Sequence, residues 1–206
     1  MVVPVKRLAT AKTRLRGGTP PGVPHARLVL AMAQDTVRAA LACPVVAELL
    51  VVTDDPEVTA ALAGLGARVV PDAPGAGLNP AIGYGAAAAP SPGWVAALAA
   101  DLPALRTGEL RAALAAAGRA GRAGRRGFVA DAGGTGTTLL AAPPGVPLDP
   151  RFGPGSAARH AAAGAWALAG EWPSLRRDVD TATDLAAAER LGLGRHTAGQ
   201  LREPAR

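Results

Sequence analysis

Lys6 and Lys12 are the only lysines in a chain with 22 lysine and arginine residues, and both stand in "PVKRLATAKTRL", residues 4–15, just after a short apolar run. Together with Arg7 and Arg14 they could surround a polyphosphate. A lysine is a compact charge on a flexible stem and an arginine a planar fork, so the two are not equivalent at a phosphate. Two aspartates are placed for a different task. Asp101 ends the hydrophobic run of "WVAALAADLPAL", and Asp180 falls in "LRRDVDT". Two carboxylates brought together above a sheet make a site for a hard cation, and Mg²⁺ commonly takes one or two carboxylates plus substrate phosphates. Taken singly, an aspartate after a strand is more often a helix or turn cap than a metal ligand.

The elements that must position these residues alternate between strand and helix signals, the pattern of a mostly parallel sheet covered by helices. "MVVPV" reads as a short buried strand. A helix follows over residues 25–42, with Leu28, Met32 and Ala39 on one stripe. "ELLVVTDD" reads as the next strand; Pro56 then opens the helix "PEVTAALAGLG", which Gly64 and Gly66 close before the strand "RVV". Further on come a Gly/Pro-rich loop at "PDAPGAGLN", the strand ending at Asp101, a helix at "TGELRAALAAAG", and strands at "GFVADA" and "GGTGTTLLAA". "RFGPGSAARHAAAGA" reads as a loop entering a helix with Ser156 as its cap, and "LRRDVDT" as the last strand. Thr181 or Thr183 would cap the helix "DLAAAERLG". The expected fold is a single α/β domain over residues 1–194, a three-layer Rossmann-like sandwich, with a loosely ordered tail over 195–206.

In such a sheet, ligands bind where the carboxyl ends of the strands meet the loops. The polar residues named above fall there. No G-x-x-x-x-G-K-[ST] is present, and no complete G-x-G-x-x-G follows the first strand, which argues against a P-loop or dinucleotide fold.

Composition narrows the classes further. A net charge of +6 invites a nucleic-acid reading, yet aromatic residues are only 3% of the chain, so stacking platforms for bases are scarce. Part of the charge lies in "GRAGRAGRRG", residues 118–127, which reads as a solvated connection. No nucleic-acid partner is expected. The one cysteine, Cys43, excludes an internal disulfide and a Cys-based zinc site, and points to a buried small hydrophobe in a cytoplasmic protein. No window has about 18 uninterrupted apolar residues, so no membrane partner is expected either. The three histidines, His25, His160 and His196, read as structural or surface groups, and Asp54, Asp55 and Asp131 as strand-end caps.

The segments "VPVKRLATAKTRL", "VVTDDP", "PDAPGAGLN", "ADLPAL", "FVADAGGTGTT", "RFGPGSAARHAAAGA" and "RRDVDTATDL" together resemble the guanylyltransferases that make the side-chain precursor of the deazaflavin coenzyme F(420). These are relatives of the sugar-nucleotide and molybdopterin guanylyltransferases. The resemblance runs from residue 2 to about residue 194. It implies transfer of GMP from GTP to a three-carbon phosphorylated acid with release of pyrophosphate: phosphoenolpyruvate in bacterial members, 2-phospho-L-lactate in archaeal ones. The composition, with its scarcity of lysine, fits a GC-rich bacterial gene and favours phosphoenolpyruvate. The resemblance also implies that Asp101 and Asp180 hold Mg²⁺, that Thr138, Gly153 and Ser156 meet the acid, and that guanine lies against the loop of Gly77 and Asn79. Lys6, Lys12 and Arg14 would meet the triphosphate, because "PVK" stands where sugar nucleotidyltransferases carry a glycine-rich loop. A downstream transferase that consumes the product is the implied protein partner.

The residue types fit those roles. Glycines in "GPGS" let backbone amides approach an anion, and the turn is flanked by Arg151 and Arg159, which could neutralise a carboxylate. Two other readings stay open on the residues alone: a nucleotidyltransferase acting on a sugar phosphate or molybdopterin, and a non-catalytic nucleotide- or nucleic-acid-binding protein.

Overall fold

The computed structural model describes residues 1–9, 11, 15, 23–89 and 93–202. Among the described residues, seven strands form one sheet: β1 (Val2–Pro4), β2 (Leu50–Val52), β3 (Arg68–Val70), β4 (Val95–Leu98), β5 (Gly127–Ala130), β6 (Thr137–Ala142) and β7 (Trp166–Ala167). Their order across the sheet is β3-β2-β1-β4-β6-β5-β7. β6 alone runs against its neighbours, antiparallel to both β4 and β5, while the remaining pairs are parallel. The mostly parallel sheet is as expected. One consequence concerns the site: β6 begins at the edge where the parallel strands end, so Thr137 and Thr138 share that edge with Lys6, Asp54, Asp72 and Asp101.

Side chains of a strand alternate between its faces. On one face, Val3, Val51, Leu98, Val129 and Leu139 pack against α1 (His25–Leu41), α2 (Pro56–Ala63) and α4 (Thr107–Gly121). On the other, Val2 and Val52, then Ala97, Phe128 and Leu140, meet α3 (Leu78–Ala87) and α5 (Ser156–Ala162). Helices cover both faces, which makes the three layers. Gly85 sets how closely α3 lies on the sheet, because a Cβ there would stand 2.6 Å from Val2 and 2.7 Å from Val52. Any side chain at this position would push α3 away from β1 and β2.

Three local expectations are corrected. "LRRDVDT" is not a strand: α6 (Pro173–Arg176) occupies its start, and the chain then crosses the end of β4, with Val179 N donating to the Asp101 carbonyl at 3.1 Å. The sheet edge goes instead to β7, which pairs with β5. The arginine-rich run is not only a connection, since α4 continues through Gly121, whose missing Cβ leaves room for the Trp94 ring. Residues 195–202 are not loosely ordered either. They form α8 (Arg195–Arg202), which packs on α1 and follows α7 (Ala182–Leu191). Buried Asp35 explains why: its carboxylate accepts from His196 N at 3.0 Å and Thr197 N at 2.8 Å, satisfying amides at the start of the helix.

Cys43 is buried as expected. Among the described residues no helix is long and apolar enough to cross a membrane.

Candidate active site

Lys6, Gly77, Asp101, Thr138 and Asp180 gather at the carboxyl edge of the parallel strands. Lys6 is exposed just past β1 and lines a cavity of about 250 Å³ together with Arg7, Asp54, Asp72, Gly77 and Leu78. Lys12 and Arg14 lie outside the described residues. The loop that carries Lys6 is anchored by Asp55, whose Oδ2 accepts from Leu8 N at 2.9 Å while Oδ1 caps α2 by accepting from Glu57 N and Val58 N. Burial alone would raise the Asp55 pKa. The amides of Leu8, Val58 and Glu57 and the charge of Arg7 outweigh it and hold the carboxyl below its ordinary range. The sequence reading of Asp55 as a cap is right, but the residue also fixes the lysine loop through a contact 47 positions away.

Gly77 is the N-cap of α3 with φ 104°, a conformation that favours glycine. It opens the helix beside the cavity. Asn79, two residues on, does something else: its side-chain amide donates to the Phe152 carbonyl at 3.1 Å and its carbonyl accepts from Phe152 N at 2.7 Å. Both hydrogen-bonding edges of Asn79 are thereby turned to the "FGPGS" loop, so it couples the two loops rather than facing the cavity.

Asp101 sits three residues beyond β4 and is partly buried. Because Val179 N bonds to the Asp101 carbonyl, Asp180 is delivered to the same place, one residue past that contact and exposed. Thr181 caps α7 in a reciprocal arrangement with Asp184, whose Oδ2 accepts from Thr181 N at 2.9 Å. This cap holds the turn that carries Asp180. Among the described residues, no group of three or more His, Cys, Asp or Glu forms an all-protein metal cage. The carboxylates of Asp101 and Asp180 are hard oxygen donors, the type a divalent cation takes together with substrate phosphates.

Thr138 bonds through its carbonyl to Ala99 N at 2.8 Å and so ties β6 to the segment leading to Asp101. Its hydroxyl is buried with no hydrogen-bond partner among the described residues. The neighbouring Thr137 carries the more telling geometry. Thr137 and Leu139 oppose consecutive β5 residues, Ala130 and Val129, which leaves Thr138 as an extra residue, a bulge. Past the bulge, Thr137 faces α5: its hydroxyl lies 3.0 Å from His160 Nδ1 and 3.1 Å from the Ser156 hydroxyl. Ser156 is thus not the cap of α5. That place belongs to Gly155, in the left-handed conformation, and Ser156 is the buried first helical residue.

The "RFGPGS" turn holds itself together. Arg159 donates to the carbonyls of Arg151, Phe152 and Pro154, so its guanidinium is engaged in shaping the turn. Arg151 pairs with Asp149, which also meets Arg126 at 2.8 Å. The Arg126 hydrogen bond, with help from Arg151, keeps the Asp149 carboxyl below its ordinary range. Gly153, with φ 116°, stands at the bend. The sequence reading of His160 as structural missed its position between Thr137 and Arg151 N; the bulge that creates the contact leaves no mark in the residue pattern.

Residues 27–178 match the MobA-like NTP transferase domain, which makes the chain a nucleotidyltransferase, and the lysine, aspartates and hydroxyls on one edge of the sheet fit that class. The chain belongs to that family. Within it, it is 67% identical over 198 residues to a protein of Salinispora arenicola named phosphoenolpyruvate guanylyltransferase, covering 96% of this chain and 91% of the relative. A protein of the same name from Geodermatophilus obscurus is 58% identical over 210 residues, 100% of this chain and 95% of the relative. Among solved structures, a candidate nucleotide-diphospho-sugar transferase from Desulfovibrio desulfuricans G20 superposes with a TM-score of 0.70 at 18% identity, covering 98% of this chain and 92% of the other. A nucleotidyl transferase from Methanothermobacter gives a TM-score of 0.58 at 20% identity, over 93% and 97% of the two chains. At these identities the structural matches speak for the fold alone.

Proposed function

We propose that the protein joins phosphoenolpyruvate to GMP from GTP, releasing pyrophosphate and giving enolpyruvyl-diphospho-guanosine for coenzyme F(420) biosynthesis. The observation that carries this reading is the name borne by relatives 58–67% identical over nearly the whole chain. A phosphate oxygen of the acid attacks the α-phosphorus of GTP. A new P–O bond forms there, and the bond to the β-phosphate's bridging oxygen breaks with its electron pair leaving on pyrophosphate. The phosphate of the acid is already largely dianionic at neutral pH, its second pKa being near 6, so the attack needs no general base.

The protein's task is to bring two anions together. Lys6, with Lys12 and Arg14, receives the triphosphate and the departing pyrophosphate, and the cavity beside Gly77 receives guanine. Thr138, Gly153 and Ser156 receive the acid. Asp101 and Asp180 would hold Mg²⁺, whose charge would supply neutralisation and alignment of the phosphates. Alignment itself supplies a large part of such a rate enhancement, because the reacting atoms must approach in line. Asn79 keeps the guanine side and the acid side of the site in register. The setting is the cytoplasm, and the product passes to a downstream transferase.

The test is pyrophosphate release with GTP and Mg²⁺, in parallel arms with phosphoenolpyruvate, 2-phospho-L-lactate, a sugar 1-phosphate and no acceptor, each with the downstream transferase added. Release only with phosphoenolpyruvate is the expected result. Release only with 2-phospho-L-lactate would reassign the acceptor, and release only with the sugar phosphate would overturn the reading.

A further inference from the structure

Thr137, Ser156 and His160 form a buried polar cluster behind the edge of the sheet; His160 and Ser156 are each 1% exposed and Thr137 8%. The His160 ring is wedged between Phe128 and Phe152, with ring centroids 5.8 and 5.2 Å away. Its Nε2 faces the backbone amide of Arg151 at 2.9 Å. That amide can only donate, so Nε2 must be the bare, accepting nitrogen and Nδ1 must carry the proton. Nδ1–H then donates to the Thr137 hydroxyl oxygen.

This tautomer fixes how the hydroxyls behave. The ring N–H and the two hydroxyls hold three polar hydrogens, and two contacts join the cluster, His160 to Thr137 and Ser156 to Thr137. Each contact consumes one hydrogen. Whichever hydroxyl donates to the other, one hydroxyl hydrogen is left over, with no acceptor given to it among the described residues. Had the imidazole been the acceptor at Nδ1, the Thr137 hydrogen would have turned inward to satisfy it. Burial, with the nearby charges of Arg159 and Arg126, lowers the His160 pKa to about 4, so the ring stays neutral and the tautomer persists at ordinary pH.

We propose that His160 is a positioning residue for the acid acceptor: by donating to Thr137 and accepting from Arg151 N, it turns one hydroxyl hydrogen of the Thr137–Ser156 pair toward an anionic oxygen of the acid. The proposal rests on the acid binding beside the "FGPGS" turn, as in the reading above. A hydroxyl that donates to an anion is a strong contact, and one that donates inward is lost to the ligand.

Two replacements separate the two nitrogens. In His160→Asn the side-chain amide reaches the Nδ1 position and can still donate to Thr137. In His160→Gln it reaches the Nε2 position, so the Arg151 contact survives and the Thr137 contact does not. Pyrophosphate release is measured as KM for phosphoenolpyruvate and KM for GTP, beside the melting temperature of each variant. The expected result is about a tenfold or larger rise in KM for the acid with His160→Gln, a rise of roughly threefold or less with His160→Asn, and an unchanged KM for GTP in both. Thr137→Val should raise KM for the acid as His160→Gln does, and combining the two should add little further. If histidine replacement prevents folding, Thr137→Ser against Thr137→Val reads the same hydroxyl. Equal effects of His160→Asn and His160→Gln, a parallel rise in both KM values, or equal effects of Thr137→Ser and Thr137→Val would each overturn the proposal. Failure of the underlying reading looks different: no acid then supports release by the unaltered protein, and both fall together.

Discussion

At the parallel end of the sheet, the cavity between β1, β2 and α3 is lined by charge that stays in water: Lys6 and Arg7 are exposed, and so is Asp54. At the antiparallel end, Thr137, Ser156 and His160 are buried, uncharged and bonded to one another. The first arrangement costs little to maintain, because a hydrated ammonium or carboxylate needs no partner, and it lets a cation follow a moving polyphosphate. The second must satisfy nearly every polar atom internally, since an unpaired buried group costs about 1–3 kcal/mol. Under the proposed reading, a leaving group that departs would meet mobile charge, and an acceptor that must be held still would meet a rigid, neutral network. Asp101 and Asp180 lie between the two, where the acid and the triphosphate would meet.

Replacing the shared element should have the largest effect. Asp101→Asn keeps the shape of the side chain but removes its charge, and turnover is expected to fall by roughly 100- to 1,000-fold, the range typical of losing one preorganised electrostatic group. The fold should be retained, as read by circular dichroism and melting temperature; normal turnover would remove Asp101 from the site and leave the two ends of the sheet without a common centre.

The buried end has its own signature in acid. His160 titrates near 4 in the folded chain against an ordinary 6.5, so the folded state resists protonation. The sign follows: the stability linked to His160 is full above pH 6.5 and is lost as pH falls toward 4, by about 3 kcal/mol in all at about 1.4 kcal/mol per pH unit. Asp55 and Asp149, whose pKa values are depressed, lose stability lower still, as their carboxylates protonate. Melting curves between pH 7 and pH 4 should therefore be steeper for the unaltered protein than for His160→Asn. Parallel curves would mean that burial of the imidazole does not govern this end.

The exposed end should respond least, and to salt. Lys6→Met is expected to lower kcat/KM for GTP roughly tenfold at low ionic strength, with the gap narrowing as salt rises, because exposed charges are screened beyond about 10 Å at 0.1 M. KM for the acid should stay within about twofold in the same variant. A salt-independent loss, or one shared equally by both substrates, would blur the contrast between the two ends.

Much of the frame was legible in the residues. Pro56 after Asp55, the glycines at 64 and 66, and the apolar runs of β2 and β4 signal their elements through local chemistry that tertiary packing does not override. Lys6, Gly77 and Asp101 could be placed on the ligand edge because each follows a recognisable strand or loop. Three features were misread for a common reason. "LRRDVDT" reads like a strand, yet α6 takes its start and Val179 N is claimed by the Asp101 carbonyl just past β4; the residues after 194 look unstructured, yet Asp35 of α1 satisfies the amides that start α8; Ser156 looks like a cap, yet Thr137 takes its hydroxyl. In each case a partner far along the chain decided the outcome.

The sequence by itself determined that strands and helices would alternate, that one edge of the sheet would gather lysine, aspartates and hydroxyls, and that glycines would bend the loops there, because propensity, capping and turn chemistry act over a few residues. Tertiary structure alone decided that Asp180 joins Asp101 through the Val179 contact, that Asn79 links the two loops, and that a bulge turns Thr137 toward His160. Those are register and packing choices, set by which distant polar groups can be satisfied together.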